Sequence, residues 1–291
     1  MILKKEELVP VVCLILSMLI WGGSFIAIKI AFRTYDPMVV MFGRMAVACL
    51  LFLCFFRQFL RMTCNKADWK FFILMGLFEP CLYFTFEAKA LSNTSASQAG
   101  VITAMLPVLV ALAAWMFLNE QLKWKTLSGF MLAVAGAYLL SISGEITRDA
   151  PNPSLGNFLE FLAMASATGY AIILKKLSRA YSALLLTAIQ VFMGAIYFTF
   201  ILFLPSTVIP DRIDPQGIAA ILFLGAVVTF GAYFLYNYGV SKMTVSRATA
   251  FVSLIPIFAV FMGWLILNET LTPIQFFSSG LILIGVFLSQ T

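Results

Sequence analysis

The sixteen residues PVLVALAAWMFLNEQL, from Pro107 to Leu122, recur as PIFAVFMGWLILNETL from Pro256 to Leu271. Both copies read P-x7-W-x2-L-N-E-x-L, and Pro107, Trp115, Leu118, Asn119, Glu120 and Leu122 match Pro256, Trp264, Leu267, Asn268, Glu269 and Leu271 at one offset of 149. The same gapless offset runs from Gly76–Ser141 to Gly225–Gln290, with 13 identities in 66 positions. Earlier segments align at an offset of 146, which sets Lys29 on Lys175, Tyr35 on Tyr181 and Arg44 on Gln190. A fixed offset over this length marks a tandem duplication, so whatever one half folds into, the other folds into as well.

Composition says what solvent such a duplicated chain lives in. Of 291 residues, 62% are hydrophobic and 11% charged, with a mean hydropathy of +0.99. A soluble domain carries about 25% charged residues. Too few polar side chains remain to cover a soluble surface, so the chain reads as an all-α polytopic membrane protein. Apolar runs long enough to span about 30 Å of hydrocarbon fall near 8–31, 38–57, 69–89, 96–118 and 124–143, and again near 155–177, 183–205, 215–239, 244–267 and 273–290. These are ten transmembrane helices in two repeats, 8–143 and 155–290, joined by the polar linker Gly144–Ser154. The first run follows Lys4 and Lys5 as a signal peptide would, but it belongs to the repeat and is read as a span.

Five spans is an odd number, so the second repeat enters the membrane from the opposite side, as an inverted repeat. Lysine and arginine test this independently. With a cytoplasmic N-terminus, 13 of the 19 lie in cytoplasmic segments and 4 (Arg33, Lys89, Arg148, Arg212) in outer ones, Lys29 and Arg44 being inside spans. The positive-inside rule then puts both termini in the cytoplasm. It also puts Glu120 and Glu269 at opposite faces, so they cannot share one site. They read instead as groups that close helix ends. The net charge of +6 is thus a topology signal, and no nucleic-acid partner is expected.

The two P-x7-W-x2-L-N-E segments, the stretch Trp21-Gly22-Gly23-Ser24-Phe25 and the 5+5 layout resemble the EamA-type transporters of the drug/metabolite transporter (DMT) superfamily. The resemblance covers essentially the whole chain. It implies a secondary transporter of the cell inner membrane, an exporter of small metabolites such as amino acids or derivatives, with a central cavity lined by spans one, three, four, six, eight and nine. Ala167 stands where the second repeat would match Trp21, which makes that tryptophan a feature of one side only.

The residues themselves suggest where a solute would sit. Glu79-Pro80 falls in the middle of span three. An acid there costs roughly 2.5–3.5 kcal/mol on insertion scales and by default marks a substrate or proton site. Its repeat partner is Val228, so the scaffold alone does not require it. The structural alternative is a partner for Arg44 or a protonated core glutamate. Pro80 removes the donor to the Gly76 carbonyl, which suggests polar backbone facing the cavity. Glu79, Tyr83 and Glu87 share one helical face, and Thr229, Tyr233 and Asn237 share another on span eight. Trp21 and Ser24 share a face of span one, with Tyr170 near the matching place on span six. Glu79, Tyr83, Trp21, Ser24, Tyr233 and Asn237 are therefore the candidate substrate-binding residues. Gln98, Thr103, Ser246 and Ser253 are further polar positions on spans four and nine. Interhelical glue and core packing are the alternatives for all of these.

Pro107 and Pro256 are the candidate hinges, by kinking spans four and nine symmetrically. Arg44, Lys29, Glu87, Lys89 and Glu160 fall toward outer span ends, as a gate of ion pairs or as groups snorkelling to headgroups. Small residues four apart (Gly23-Ala27-Ala31, Gly129-Ala133-Ala137, Ala163-Ala167-Ala171) let helices pack closely. Histidine is absent, five scattered cysteines form no CxxC pair, and there is no P-loop, GxSxG or HExxH. No enzyme activity, no cofactor, no metal and no catalytic residue is expected. The expected partners are a small-molecule substrate and the lipid bilayer, with a homodimer allowed. The alternatives are an exchanger or importer of nucleotide-like or other charged metabolites and, in a different class, a non-transporting membrane protein.

Overall fold

A computed structural model describes residues 5–59, 64–118 and 124–289, and within them the chain is almost entirely helical. The first half gives α1 (Lys5–Phe32), α2 (Pro37–Leu53), the short α3 (Phe56–Phe59), α4 (Trp69–Gly76), α5 (Tyr83–Leu91), α6 (Ala96–Ile102), α7 (Leu106–Leu118) and α8 (Trp124–Ile142). The second gives α9 (Pro153–Leu177), α10 (Ala183–Leu202), α11 (Pro215–Phe223), α12 (Tyr233–Lys242), α13 (Val245–Ala250), α14 (Ile255–Leu267) and α15 (Pro273–Ser289). A π-helical segment, Leu77–Leu82, joins α4 to α5, and another, Leu224–Ala232, joins α11 to α12. A 3-10 segment, Thr103–Met105, joins α6 to α7, and Phe251–Leu254 joins α13 to α14. Eight of the resulting rods are long and apolar enough to cross a membrane. Pro37–Leu53 and Pro273–Ser289 are apolar but shorter, at 17 residues each. At 1.5 Å per residue each of these two reaches about 25 Å.

Helix starts follow from local chemistry. Asp36, Asn152 and Asp214 each precede a proline at the first helical position, where the missing N–H costs nothing. Each accepts from a backbone amide of the first turn: Asp36 Oδ1 from Met38 at 2.8 Å, Asn152 Oδ1 from Leu155 at 3.2 Å, Asp214 Oδ2 from Gly217 at 2.7 Å. Pro107 and Pro256 use the same logic inside a rod. Each sits second in a fresh α-helical segment, directly after the 3-10 turn. The predicted kink is therefore a change of helix type rather than a gap in a continuous α-helix.

Packing recurs between the halves. α1 packs on α14 and on α12; its counterpart α9 packs on α7 and on α5. α2 packs on the Leu224–Ala232 segment, and α10 on Leu77–Leu82. The counterparts α8 and α15 pack directly on each other. A Cβ on Gly129 would stand 2.4 Å from the Gly285 carbonyl, and one on Gly136 would stand 2.8 Å from the Ser278 carbonyl. Rising numbers on α8 meet falling numbers on α15, so the two run antiparallel. The glycines bring backbone against backbone, as the small-residue spacing on span five anticipates. The linker is ordered across this end: Thr147 and Ala150 bridge, and Ser154 Oγ donates to the Ser141 carbonyl at 2.9 Å.

A methyl added at Gly285 must push α15 off α8, since its contacts are Gly129 and Ala133 backbone at 2.5 and 2.6 Å. Gly285→Ala is expected to cost about 1–3 kcal/mol, the range for overpacking. Gly280→Ala on the same helix meets nothing within 4 Å and should be neutral or slightly stabilising. Thermal unfolding of the purified protein in detergent compares the two; equal midpoints would refute the close packing.

Candidate functional site

Glu79 occupies the break in the Lys66–Leu91 rod. Its backbone is non-helical (φ −148°, ψ 117°), and the π segment around it contains Pro80. The break is seated on two glycines that leave room for it: Gly169 against the Phe78 ring and Gly194 against the Pro80 ring. At the break the Phe78 carbonyl accepts from the Tyr83 amide and from Ser166 Oγ of α9, the latter at 2.7 Å.

The break opens onto a tight cavity of about 40 Å³, lined by both halves. Trp21, Ser24 and Phe25 come from α1, Arg44 from α2, and Glu79, Tyr83, Phe84 and Glu87 from the third rod. The second half contributes Met164, Ala167 and Tyr170 from α9 and Tyr233 and Tyr236 from α12. Thr103, Leu106, Val252 and Ile255, at the two 3-10 turns, complete the wall.

Each charged group in the wall is held by a neighbour. Tyr233 donates its hydroxyl to Glu79 Oε1. Arg44, 1% exposed, donates from Nε to Thr229 Oγ1 at 2.9 Å and pairs through Nη1 with Glu87 Oε2 at 3.5 Å. Its guanidinium lies 4.1 Å from the centre of the Phe84 ring, a cation–π contact. Tyr83 donates to Glu87 Oε1 at 2.9 Å. Arg44 therefore serves Glu87, and Glu79 is left to Tyr233. The Trp21 ring stands 5.0 Å from that of Tyr233 and 4.8 Å from that of Tyr236. Its buried indole Nε1 has no hydrogen-bond partner. A desolvated, unused donor in a cavity wall is where a solute's carbonyl or carboxylate gains most.

Five of the six candidate residues line this space: Trp21, Ser24, Glu79, Tyr83 and Tyr233. Ser24 spends its proton on the Trp21 carbonyl at 2.7 Å and so offers lone pairs only. Asn237 lies behind the wall. Its Oδ1 accepts from Tyr170 at 2.7 Å, and its Nδ2 donates to Thr187 at 2.9 Å, so it positions the tyrosine. Thr103 faces the cavity; Gln98 instead accepts from Asn157 at 2.9 Å. Tyr236 and Phe84 belong to the wall and were not singled out from sequence, although Tyr236 follows Tyr233 at i+3, on the same face. Of the five groups read as an outer gate, Arg44 pairs with Glu87, Lys29 donates to the Asp149 carbonyl, Lys89 is exposed, and Glu160 is buried without a hydrogen bond.

The second motif copy has a specific job. Asn268 takes a left-handed conformation (φ 56°, ψ 29°), which ends α14 and turns the chain. Glu269 then reaches α6 of the other half, where Oε1 accepts from Ala96 N at 2.9 Å and Oε2 from Ser97 N at 2.8 Å. Ser95 Oγ takes the Gln98 amide at 3.1 Å, so the first three amides of α6 are all satisfied. Gly263 is required here, because a Cβ would strike Ser97 Oγ at 2.5 Å. Glu269 thus closes a helix end, as its sequence suggests, but in the opposite half. Asn119, Glu120 and Leu122 of the first copy lie outside the described residues.

Rods long enough to span a bilayer, packed around a small cavity that holds buried charged groups, define a multi-pass membrane protein. The chain belongs to the EamA-like transporter family, whose model matches it twice, over residues 8–142 and 154–291. An uncharacterized transporter of Bacillus subtilis, YcxC, is 28% identical, with 97% of this chain and 93% of that one covered. One from Archaeoglobus fulgidus is 27% identical, covering 95% and 97%. The S-adenosylmethionine/S-adenosylhomocysteine transporter of Chlamydia muridarum is 28% identical, covering 96% and 91%. A crystal structure shares the fold at a TM-score of 0.68 with 16% identity, over 96% of both chains.

Glu269→Ala leaves two helix-terminal amides without their acceptor, and is expected to cost about 1–3 kcal/mol. Glu269→Gln keeps one carbonyl acceptor and should lose about half as much. Thermal unfolding of the three proteins decides; an alanine variant as stable as the parent would dismiss the cap.

Proposed function

We propose that this protein is a secondary transporter of the cytoplasmic (inner) membrane that exports small metabolites, amino acids or their derivatives, by alternating access. Ten helices cross the bilayer as two inverted halves, 8–143 and 155–290, with both termini in the cytoplasm. The contact between α8 and α15 supports the inversion. Exchanging each residue for its repeat equivalent turns the Gly129–Gly285 contact into Ser278–Gly136, which is also present. Equivalent helices that are antiparallel and related in this way have their two-fold axis across the rods, hence in the membrane plane. Pro107 and Pro256, at the two changes of helix type beside the cavity, are the proposed hinges.

The observation that carries the substrate reading is the pairing of opposite demands in one cavity. Glu79 with Tyr233 offers a place for an amine, and the unused indole N–H of Trp21 offers a donor for a carboxylate. A zwitterion meets both. A second reading, exchange of a larger charged metabolite with a flat ring, is favoured by the aromatic wall of Trp21, Tyr233 and Tyr236. The relative named as an S-adenosylmethionine/S-adenosylhomocysteine transporter supports it.

The test is counterflow in proteoliposomes with amino acids, amines, S-adenosylmethionine and S-adenosylhomocysteine. Flux above that of empty liposomes is expected for at least one solute. Glu79→Gln should reduce it about tenfold to a hundredfold, the value of a charge-assisted hydrogen bond of about 1.5–3 kcal/mol. Flux at the level of empty liposomes for every solute would overturn the transport reading. Undiminished flux by Glu79→Gln would remove Glu79 from the site.

A further inference from the structure

Glu160 is a carboxyl that nothing above employs. It is 0% exposed, and neither of its oxygens has a hydrogen-bond partner. It lies one turn before Met164 and two before Ala167, both in the cavity wall, and so on the same stripe of α9. α9 runs antiparallel to the third rod, with Gly156 against Ala90 and Gly169 against Phe78. That register puts Glu160 level with Glu87, and the two carboxyls interact electrostatically.

The charged surroundings are asymmetric. From α5, Tyr83 and Glu87 face Glu160, while Lys89 is exposed. From the π segment, Glu79 bears on Tyr83 as well. From α2, Arg44 is engaged by Glu87 and Thr229. The other elements packed on α9 carry their charges at its far end, where Lys175 donates to the carbonyls of Val240 and Met243. Lys70 of α4, Lys125 of α8, Lys242 of α12 and Arg247 of α13 belong to that end. It is 15 residues from Glu160 in sequence, or about 22 Å along the helix. Glu87 holds the one guanidinium nearby, and a second ionised carboxylate beside it would have neither cation nor donor.

We propose that Glu160 is a proton-binding site of the transport cycle. It holds a proton in this conformation, with Glu87 ionised against Arg44. When the halves rock and water reaches the α5–α9 seam, the Glu160 O–H bond breaks, the proton leaves to that water and the carboxylate remains. A proton bound on one side and released on the other couples solute movement to the proton gradient. The coupling rests on the alternating-access reading; the proton itself does not.

Two measurements separate these. Infrared spectroscopy of the full chain in lipid bilayers at neutral pH should show the C=O stretch of a protonated carboxyl. Glu160→Gln should remove one such band that Glu79→Gln and Glu87→Gln leave in place, and Glu160→Asp should shift it and keep it. In proteoliposomes loaded with an equimolar mixture of the common amino acids, an imposed proton gradient should accelerate parental flux severalfold. In Glu160→Gln the ratio of flux with and without the gradient should fall to one. A band that survives Glu160→Gln and disappears in Glu87→Gln overturns the assignment. Acceleration by a sodium gradient in place of a proton gradient overturns the coupling. The band present with no amino-acid flux supports the proton site and counts against the solute class alone.

Discussion

A helix interrupted inside hydrocarbon leaves peptide groups that water cannot reach, and this chain interrupts its rods near the cavity. Every such break needs a partner, and the partners come from across the molecule. Ser166 of α9 takes the carbonyl of Phe78 in the first π segment, and Ser17 of α1 donates to that of Ala232 in the second at 3.1 Å. Glu269 takes the first two amides of α6. Each half is irregular where the cavity needs it, and the other half makes that irregularity affordable.

That exchange also explains how the cavity acquires its chemistry. The non-helical backbone at Glu79 aims its carboxyl at Tyr233 of the other half. Arg44, held by Thr229 on one side and Glu87 on the other, ties α2, α5 and the second π segment to one guanidinium. The aromatic rings between them exclude water, which strengthens each polar contact.

The sequence makes the scaffold legible because duplication and hydropathy act over many residues at once. The offset of 149 makes α8 and α15 equivalents, and the small-residue spacing marks span five as closely packed, though it does not say against which helix. Glu79 stands out for an equally simple reason: an acid with a proline after it is conspicuous in an apolar run. What fails is the choice of partner. Periodicity puts Glu79 and Glu87 on one face, but it cannot say that Arg44 takes the latter. Asn237 shares the face of Tyr233 by spacing, yet it lies behind the wall, occupied by Tyr170 and Thr187. The π turns account for part of this, since the extra residue in each turn rotates one end of a rod against the other. Glu269 shows the remaining limit. Its role depends on a helix in the other repeat, and no local pattern reaches that far.

The cap on α6 has a consequence in time. Glu269 follows Ser97 by 172 residues. A ribosome adding about 5–20 residues per second delivers that carboxylate roughly ten to thirty seconds after the helix end it serves. Throughout that interval α6 lacks the acceptor that Glu269 supplies to its first two amides. The first half therefore lacks this cap until its twin has been made. A gene split at the linker would have to bring both halves together quickly to escape the same exposure.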